Sequence, residues 1–596
     1  MRWLRAARWR VVAVLAIAGV VFAGCGVPDS GAPVVDGTPV AVPEDEQGAL
    51  KPAPPRPEDA TSSQGVVQLY FHAASSEWER IPDQVRTFLT DRSRGTMQPW
   101  QRVQVVRVSE WGRPQVESSS LHRVRVRGTV IGELAPNGVV HPADHEFDHV
   151  FQLRYHKGRG TWLIDNPPPG YVLSVEAVEK RFDALPLYFV NRWQTASLIP
   201  DLRYMPKAVE WRKQRSQLVD WLLQGPSPGI ASVATNGFPA GTKRSGNVVV
   251  ENGDVVVNLS SEADVSDRKD LMLAQLVWTL RPRMSRGLRL LIDSRPVSDG
   301  GRTTHSRNAY ARLNAAEALP DESVAYYVDP SGRVVPLSDD SNPPRVLAVS
   351  TDGDDYNTGV RHAAVSRTGD VAALVRWDAW ELGVWVGRIR GGGGDGVLPP
   401  PAYQRVEGLP ATEDIDCPVW VGSAAGGVLL VPAAGEVYEV RLRDLQARPL
   451  PIPDELGPIQ ALKVSADGYR VALVADDQVY VAALAPRNDG GLALRDARPV
   501  PASISDVVDV AWSRESFLVL ASRSEGLWEV SVDGVQLVKL PTPGAPDHVA
   551  AYPAVDRRGR VLVEHAGRVY EIYSSNVGTP AGVTNYPAGR SPFFAG

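Results

Sequence analysis

The sequence predicts a multidomain chain in which two α+β domains are followed by an all-β propeller. Three observations carry that prediction. Two successive segments each contain helix-spaced apolar residues and strands of period two. From about residue 320 a strand-rich pattern repeats at the interval expected of a propeller blade. Beyond one short apolar run at the N-terminus, no segment approaches the roughly 20 uncharged apolar residues that a spanning helix needs.

The first ten residues, MRWLRAARWR, carry Arg2, Arg5, Arg8 and Arg10, and an apolar run follows from Val11 to Ala23. A cationic head, a short apolar body and a small-residue exit describe a signal peptide over residues 1–24. Phe22-Ala23-Gly24-Cys25 resembles the bacterial lipobox, with Phe22 where leucine is usual. Cys25 is therefore the expected lipidation site and mature N-terminus. Two acyl chains on one residue hold a protein stably on a membrane. Residues 25–60 are rich in Pro, Gly and acidic side chains, and read as the acylated cysteine and an extended tether.

Residues 61–180 read as the first α+β domain. Val66, Val67, Leu69, Tyr70 and Phe71 suit a helix packed on one face, and Ile81 to Leu89 suits a second. Alternation then appears around Val103 and Val105, around Val124 and Val126, and from His149 to Tyr155. A last strand is expected at Gly160–Asp165. Helices followed by a meander resemble the NTF2-like architecture.

Residues 185–312 read as the second α+β domain. A helix is expected from Pro206 to Gln224, stopped by Gly225-Pro226. Asn252-Gly253 between Asn247–Val250 and Asp254–Leu259 signals a tight hairpin. A second helix, Arg268 to Leu280, presents Leu271, Ala274, Val277 and Trp278 as one stripe. The strand Leu288 to Ile292 closes the unit.

Residues 320–596 read as the propeller. Five stretches share the order strand, turn, apolar strand, turn, aromatic strand, and Trp385, Tyr438, Tyr480, Trp528 and Tyr570 mark the last of these. Their separations are 53, 42, 48 and 42 residues, the longest containing the run Gly391–Gly394. Strand-like residues from Val324 onward suggest an incomplete further blade that pairs with the C-terminus. Six or seven blades are expected, closed so that no sheet edge is left open.

No catalytic motif stands out. The chain has no G-x-S-x-G elbow, no H-E-x-x-H and no P-loop, and it reads as a nonenzyme without catalytic, cofactor-binding or metal-binding residues. His141, His145 and His149 recur every four residues, but in a strand that spacing spans about 13 Å, too far for one ion. They read as a polar loop entering a sheet. The acidic cluster around Asp352, Asp354, Asp355 and Asn357 lacks the glycine and the final glutamate of a calcium loop, and reads as a connection between blades. With Cys25 acylated, Cys417 has no disulfide partner and reads as a small buried hydrophobe. The net charge of −6, with both signs mixed along the chain, gives no basic stripe for nucleic acid.

Leu222-Leu-Gln-Gly-Pro-Ser-Pro, Gly237-Phe-Pro-Ala-Gly-Thr, Val255-Val-Val-Asn-Leu-Ser-Ser and Gln275-Leu-Val-Trp-Thr-Leu are similar to the GerMN domain, with Asn258 where the family usually has aspartate. With the lipobox, the preceding domain and the propeller, nearly the whole chain resembles the LpqB lipoproteins of actinobacteria. The resemblance implies a noncatalytic, lipid-anchored protein on the extracytoplasmic face of the cell membrane. It also implies an accessory role to the MtrAB two-component system, through the outer domain of the sensor kinase MtrB, in envelope homeostasis and division. The other reading is a lipoprotein that binds or modifies cell-wall glycan through some of its 16 tryptophans.

Overall fold

Ser62 accepts a hydrogen bond from Gly65 N at 3.0 Å and so starts helix α1 (Ser63–Tyr70), satisfying an N–H that a helix start leaves free. The computed structural model describes residues 53–96, 101–193, 197–319, 324–337, 350–351, 354–389, 403–422, 427–555, 558–573 and 582–595. Cys25, most of the expected tether, Asp352 and the run 391–394 lie outside them.

Two short helices follow, α2 (Ile81–Arg86) and α3 (Asp91–Thr96). Strands β1 (Val103–Trp111), β2 (Gln115–Ser118), β3 (Leu121–Leu134), β4 (Val140–His156), β5 (Thr161–Ile164) and β6 (Tyr171–Ser174) form one sheet, ordered β5-β4-β3-β1-β6 with β2 on β3. β6 joins β1 in parallel, and the other pairs are antiparallel. Val66, Val67 and Tyr70 of α1, with Phe71 at its end, are buried in the core shared with this sheet. There Tyr70 and Phe71 meet Phe151 edge-on at 5.8 and 6.0 Å. Helix α4 (Val175–Arg181), capped by Ser174, ends the domain.

Two expectations change here. The expected tether is docked at its end: Pro57 is buried and its carbonyl accepts from Thr161 Oγ1 at 2.7 Å. The segment from His141 to His149 is strand rather than loop, because β4 pairs with β3 from Val140 to Arg154, interrupted only at Ala143 and Asp144. Pro142 is accommodated opposite Gly132, beside a register shift where the ladder is already irregular.

The second domain opens with a hairpin that periodicity did not single out, β7 (Phe182–Asn191) and β8 (Leu198–Pro206), with β9 (Ala234–Thr235) on the free side of β7. Both long strands are buried nearly throughout, so no alternation exists to be read. Pro206 ends β8, and the helix expected to begin there starts later, as α5 (Trp211–Gln224). Gly225 follows with φ 96°, a conformation that favours glycine. The hairpin β10 (Val249–Glu251) and β11 (Asp254–Leu259) turns on Asn252 and Gly253, at φ 54° and 84°, as an Asn-Gly turn demands. β12 (Gly287–Ile292) lies parallel to β11, and β13 (Arg295–Pro296) pairs with β12. Helix α6 (Lys269–Leu280) is buried at every position from Leu271 to Leu280, on all its faces rather than along one stripe.

The propeller has five four-stranded sheets and a sixth of three strands among the described residues. Their first strands are Val360–Val365, Val419–Val421, Ile459–Val464, Val507–Arg514 and His548–Ala551, and these first to fifth blades follow in chain order. The sixth blade combines Ala325–Val328 and Val334–Pro336 with the C-terminal strand Arg590–Phe594. That last strand lies beside the first strands of both the fifth and the first blade, so the ring closes at six. Each of the five aromatic marks sits in the third strand of its sheet.

The propeller is packed against both α+β domains. Arg107 of β1 donates to Pro501 O and Gly534 O, each at 2.6 Å, and Tyr204 of β8 donates to Asp533 at 3.0 Å. Glu515 lies buried at the same junction, where Tyr188 Oη and Asn314 Nδ2 each donate to it at 2.6 Å. Burial pushes its carboxyl up from 4.5 to about 7, against the pull of the Tyr188 bond and Arg281. The folded chain therefore holds this proton more tightly than the unfolded chain. The stabilisation is fully present below about pH 4.5 and is lost as pH rises through about 7, a swing of roughly 3 kcal/mol. Urea titrations across that window are expected to show a shallower fall of stability with pH for Glu515→Gln than for the native chain.

Candidate functional site

The first strands of the six blades surround the ring axis, and each blade places a polar side chain there. The first gives His362, the second Asp416 and Cys417 just ahead of its strand, and the third Lys463. The fourth gives Asp509, the fifth His548 and the sixth Ser591. A cavity of about 550 Å³ opens onto them, lined by Cys417, Lys463 and His548 together with Trp420, Trp512 and Phe593.

Cys417 Sγ lies 3.3 Å from His362 Nδ1, 3.7 Å from His548 Nε2 and 3.6 Å from Ser591 Oγ. His548 Nδ1 meets Asp509 Oδ2 at 2.6 Å, and Asp509 is held in turn by Val510 N at 2.8 Å and Val549 N at 2.9 Å. His362 Nδ1 is also 2.5 Å from Ser591 Oγ. Ser591 has φ 50°, beside a bulge in the closing strand, and its N–H donates to Glu564 at 2.6 Å. The irregularity thus aims the Ser591 hydroxyl at the cluster.

The charges are strongly coupled. Burial alone would push the Cys417 thiol up, but His362, His548 and Lys463 draw it well below its ordinary value. Burial would lower His548, yet Asp509 and the Cys417 sulfur hold it well above. Asp509, disfavoured by burial, is brought down to about 2 by His548 and Lys463. Burial raises Asp416, and the neighbouring sulfur adds to the effect. Burial likewise lifts Glu564.

Cys417 is buried as expected, at 6% exposure, but its surroundings are polar rather than apolar. No local motif announces the cluster, because its members come from separate blades. The repeat itself was the available signal: each polar residue lies in or just before the first strand of its blade. The other residues singled out in the sequence are not brought together in this way. His145 is exposed, while His149 Nε2 lies 2.8 Å from Asn166 O. Asp355 pairs with Arg333 at 2.9 Å, and Asn357, fully buried, bonds both the N–H and the C=O of Val334.

Fold and domain order define a multidomain protein whose C-terminal propeller is carried on two small α+β domains. Known families match in the same order. "Lipoprotein LpqB, N-terminal domain" matches residues 56–179, "Sporulation and spore germination" 186–298, and "Lipoprotein LpqB beta-propeller domain" 332–585. The chain belongs to the LpqB lipoprotein family. Relatives named Lipoprotein LpqB include one from Thermobifida fusca, 27% identical over 87% of this chain and 88% of that protein. Another, from Mycobacterium leprae, is 27% identical over 88% of each. Among solved structures, TolB from Acinetobacter baumannii is 15% identical, with a TM-score of 0.34 over 49% of this chain and 70% of that one.

Proposed function

We propose that this chain is a lipid-anchored, noncatalytic accessory protein of a two-component sensor kinase, the MtrB partner of the MtrAB system, acting in envelope homeostasis and division. The observation that carries this reading is the match to the LpqB lipoproteins, by their models over the first domain and the propeller and by named relatives that align over 87% and 88% of the chain. Cys25 supplies the membrane anchor, on the extracytoplasmic face. Among the described residues no helix is long and apolar enough to cross a membrane. Confinement to the membrane plane raises effective concentration, so a modest affinity for another membrane protein suffices. The axial cysteine fits a noncatalytic role. Cys417, His548 and Asp509 stand in the order of nucleophile, base and orienting acid, but the sulfur is already engaged by His362, His548 and Ser591 at 3.3, 3.7 and 3.6 Å.

Trp380 favours a second reading, a lipoprotein that binds cell-wall glycan. It is 94% exposed in the turn between the second and third strands of the first blade, where an aromatic face is free to stack on a sugar. One experiment separates the two. In-cell crosslinking of the membrane fraction, read by mass spectrometry, is expected to join the native chain to the kinase's outer domain. Cys25→Ala is expected to lose membrane retention and these crosslinks together. Crosslinks to peptidoglycan, with none to the kinase, select the glycan reading.

A further inference from the structure

We propose that the propeller axis is a binding site for a thiophilic divalent metal ion, of the zinc class, held by Cys417, His362, His548 and Asp416. The ligand atoms of His362, Asp416 and Cys417 lie within 4.8 Å of one another; His548 Nε2, 3.7 Å from the sulfur, stands outside that group and joins it as the fourth ligand by moving inward. A tetrahedral zinc ion with Zn–S of about 2.3 Å and Zn–N of about 2.05 Å places sulfur and nitrogen roughly 3.5 Å apart. The two observed separations, 3.3 and 3.7 Å, bracket that value.

The surroundings match what a metal site requires beyond its ligands. His548 turns Nε2 to the sulfur, while its other ring nitrogen meets Asp509, the carboxylate–histidine arrangement that orients metal-bound imidazoles. Asp509 is itself fixed by two backbone N–H groups. The cavity that reaches Cys417 and His548 supplies the path of entry. One sulfur, two imidazoles and a carboxylate form a donor set suited to zinc rather than to calcium or magnesium, which take oxygen ligands. With all four protein ligands engaged the site is closed, so its role is to hold the blades together or to report metal, not to activate water.

The test is titration of the full-length chain in detergent with Co²⁺ as a spectroscopic probe, followed by competition with Zn²⁺. One cobalt per chain is expected, with tetrahedral d–d absorption and a thiolate-to-cobalt charge-transfer band that Zn²⁺ bleaches. Cys417→Ser and, independently, His362→Gln are expected to lose the band, while Cys25→Ala retains it. Asp509→Asn is expected to weaken zinc binding about 10- to 100-fold. The proposal is overturned if the native chain shows no such band, or if the band survives either ligand substitution. Should Cys417→Ser fail to fold, His362→Gln carries the same decision, because His362 is only partly buried.

Discussion

Ending the chain after Ala588 is expected to open the propeller ring and to cost about 4 kcal/mol of stability or more. The missing segment contains the strand Arg590–Phe594, which pairs with Ala325, Tyr326 and Val328 and lies between the fifth and first blades. Phe593 stacks on Tyr326 at 5.3 Å, and Phe594 packs against Tyr552 and beneath the Arg560 guanidinium. Full burial of a phenylalanine stabilises by about 1.5–3 kcal/mol, and these two are partly buried, so together they account for about 3 kcal/mol. The lost ladder adds to that. The greater consequence is topological: strand 325–328 loses its ladder partner and becomes an open edge, and the first strand of the fifth blade loses the strand packed beside it. Urea melts should show the lower midpoint, and sedimentation velocity should show self-association of the truncated chain. A ring held by lateral packing alone would leave both measurements unchanged.

That closing strand also shows how far the sequence could be read. Its pairing with the strand at Val324 onward was foreseeable, because a repeat with an incomplete first unit needs a partner from the other end. The blade interval and the aromatic of each third strand were visible for the same reason: a repeated packing environment leaves a repeated sequence. The Asn252-Gly253 hairpin was legible from local backbone chemistry. What could not be read depended on burial or on distance along the chain. β7 and β8 are buried on both faces, so hydrophobic alternation was absent where it was sought. α6 is buried all round, so its stripe was only part of the truth. The axial cluster was the largest omission. His362, Cys417, Lys463, Asp509, His548 and Ser591 are each unremarkable locally, and only ring closure brings them together. In sequence Cys417 neighbours Pro418 and Val419, which point to an apolar setting, whereas its neighbours in space are two imidazoles and a hydroxyl.

Loss of a buried charge at the junction of the domains should be comparably severe. Arg203 in β8 is fully buried, and its Nη2 donates to Asp201, itself almost fully buried, at 2.7 Å. The same guanidinium donates to Asn137 O of the first domain at 3.1 Å and to Gly225 O, just past the end of α5, at 3.2 Å. It thereby joins the turn between β3 and β4, the hairpin β7–β8 and the end of a helix. Replacing it by methionine keeps much of the volume but leaves Asp201 with the Ser227 N–H and hydroxyl, each at 2.8 Å, and the nearby buried guanidinium of Arg498 to offset its negative charge. Breaking a buried pair from one side costs about 3–5 kcal/mol, and that is the expected loss for Arg203→Met. Most of the cost should come from the stranded carboxylate rather than from the missing bond. Asp201→Asn combined with Arg203→Met is therefore expected to be more stable than Arg203→Met alone, with a coupling of about 1–3 kcal/mol in a double-mutant cycle. Stability from denaturant titration gives the cycle directly. Hydrogen exchange should place the added opening in the segments around 135–139 and 223–227. Strict additivity of the two substitutions would show that Arg203 acts through packing, and that the ion pair contributes little to holding the domains together.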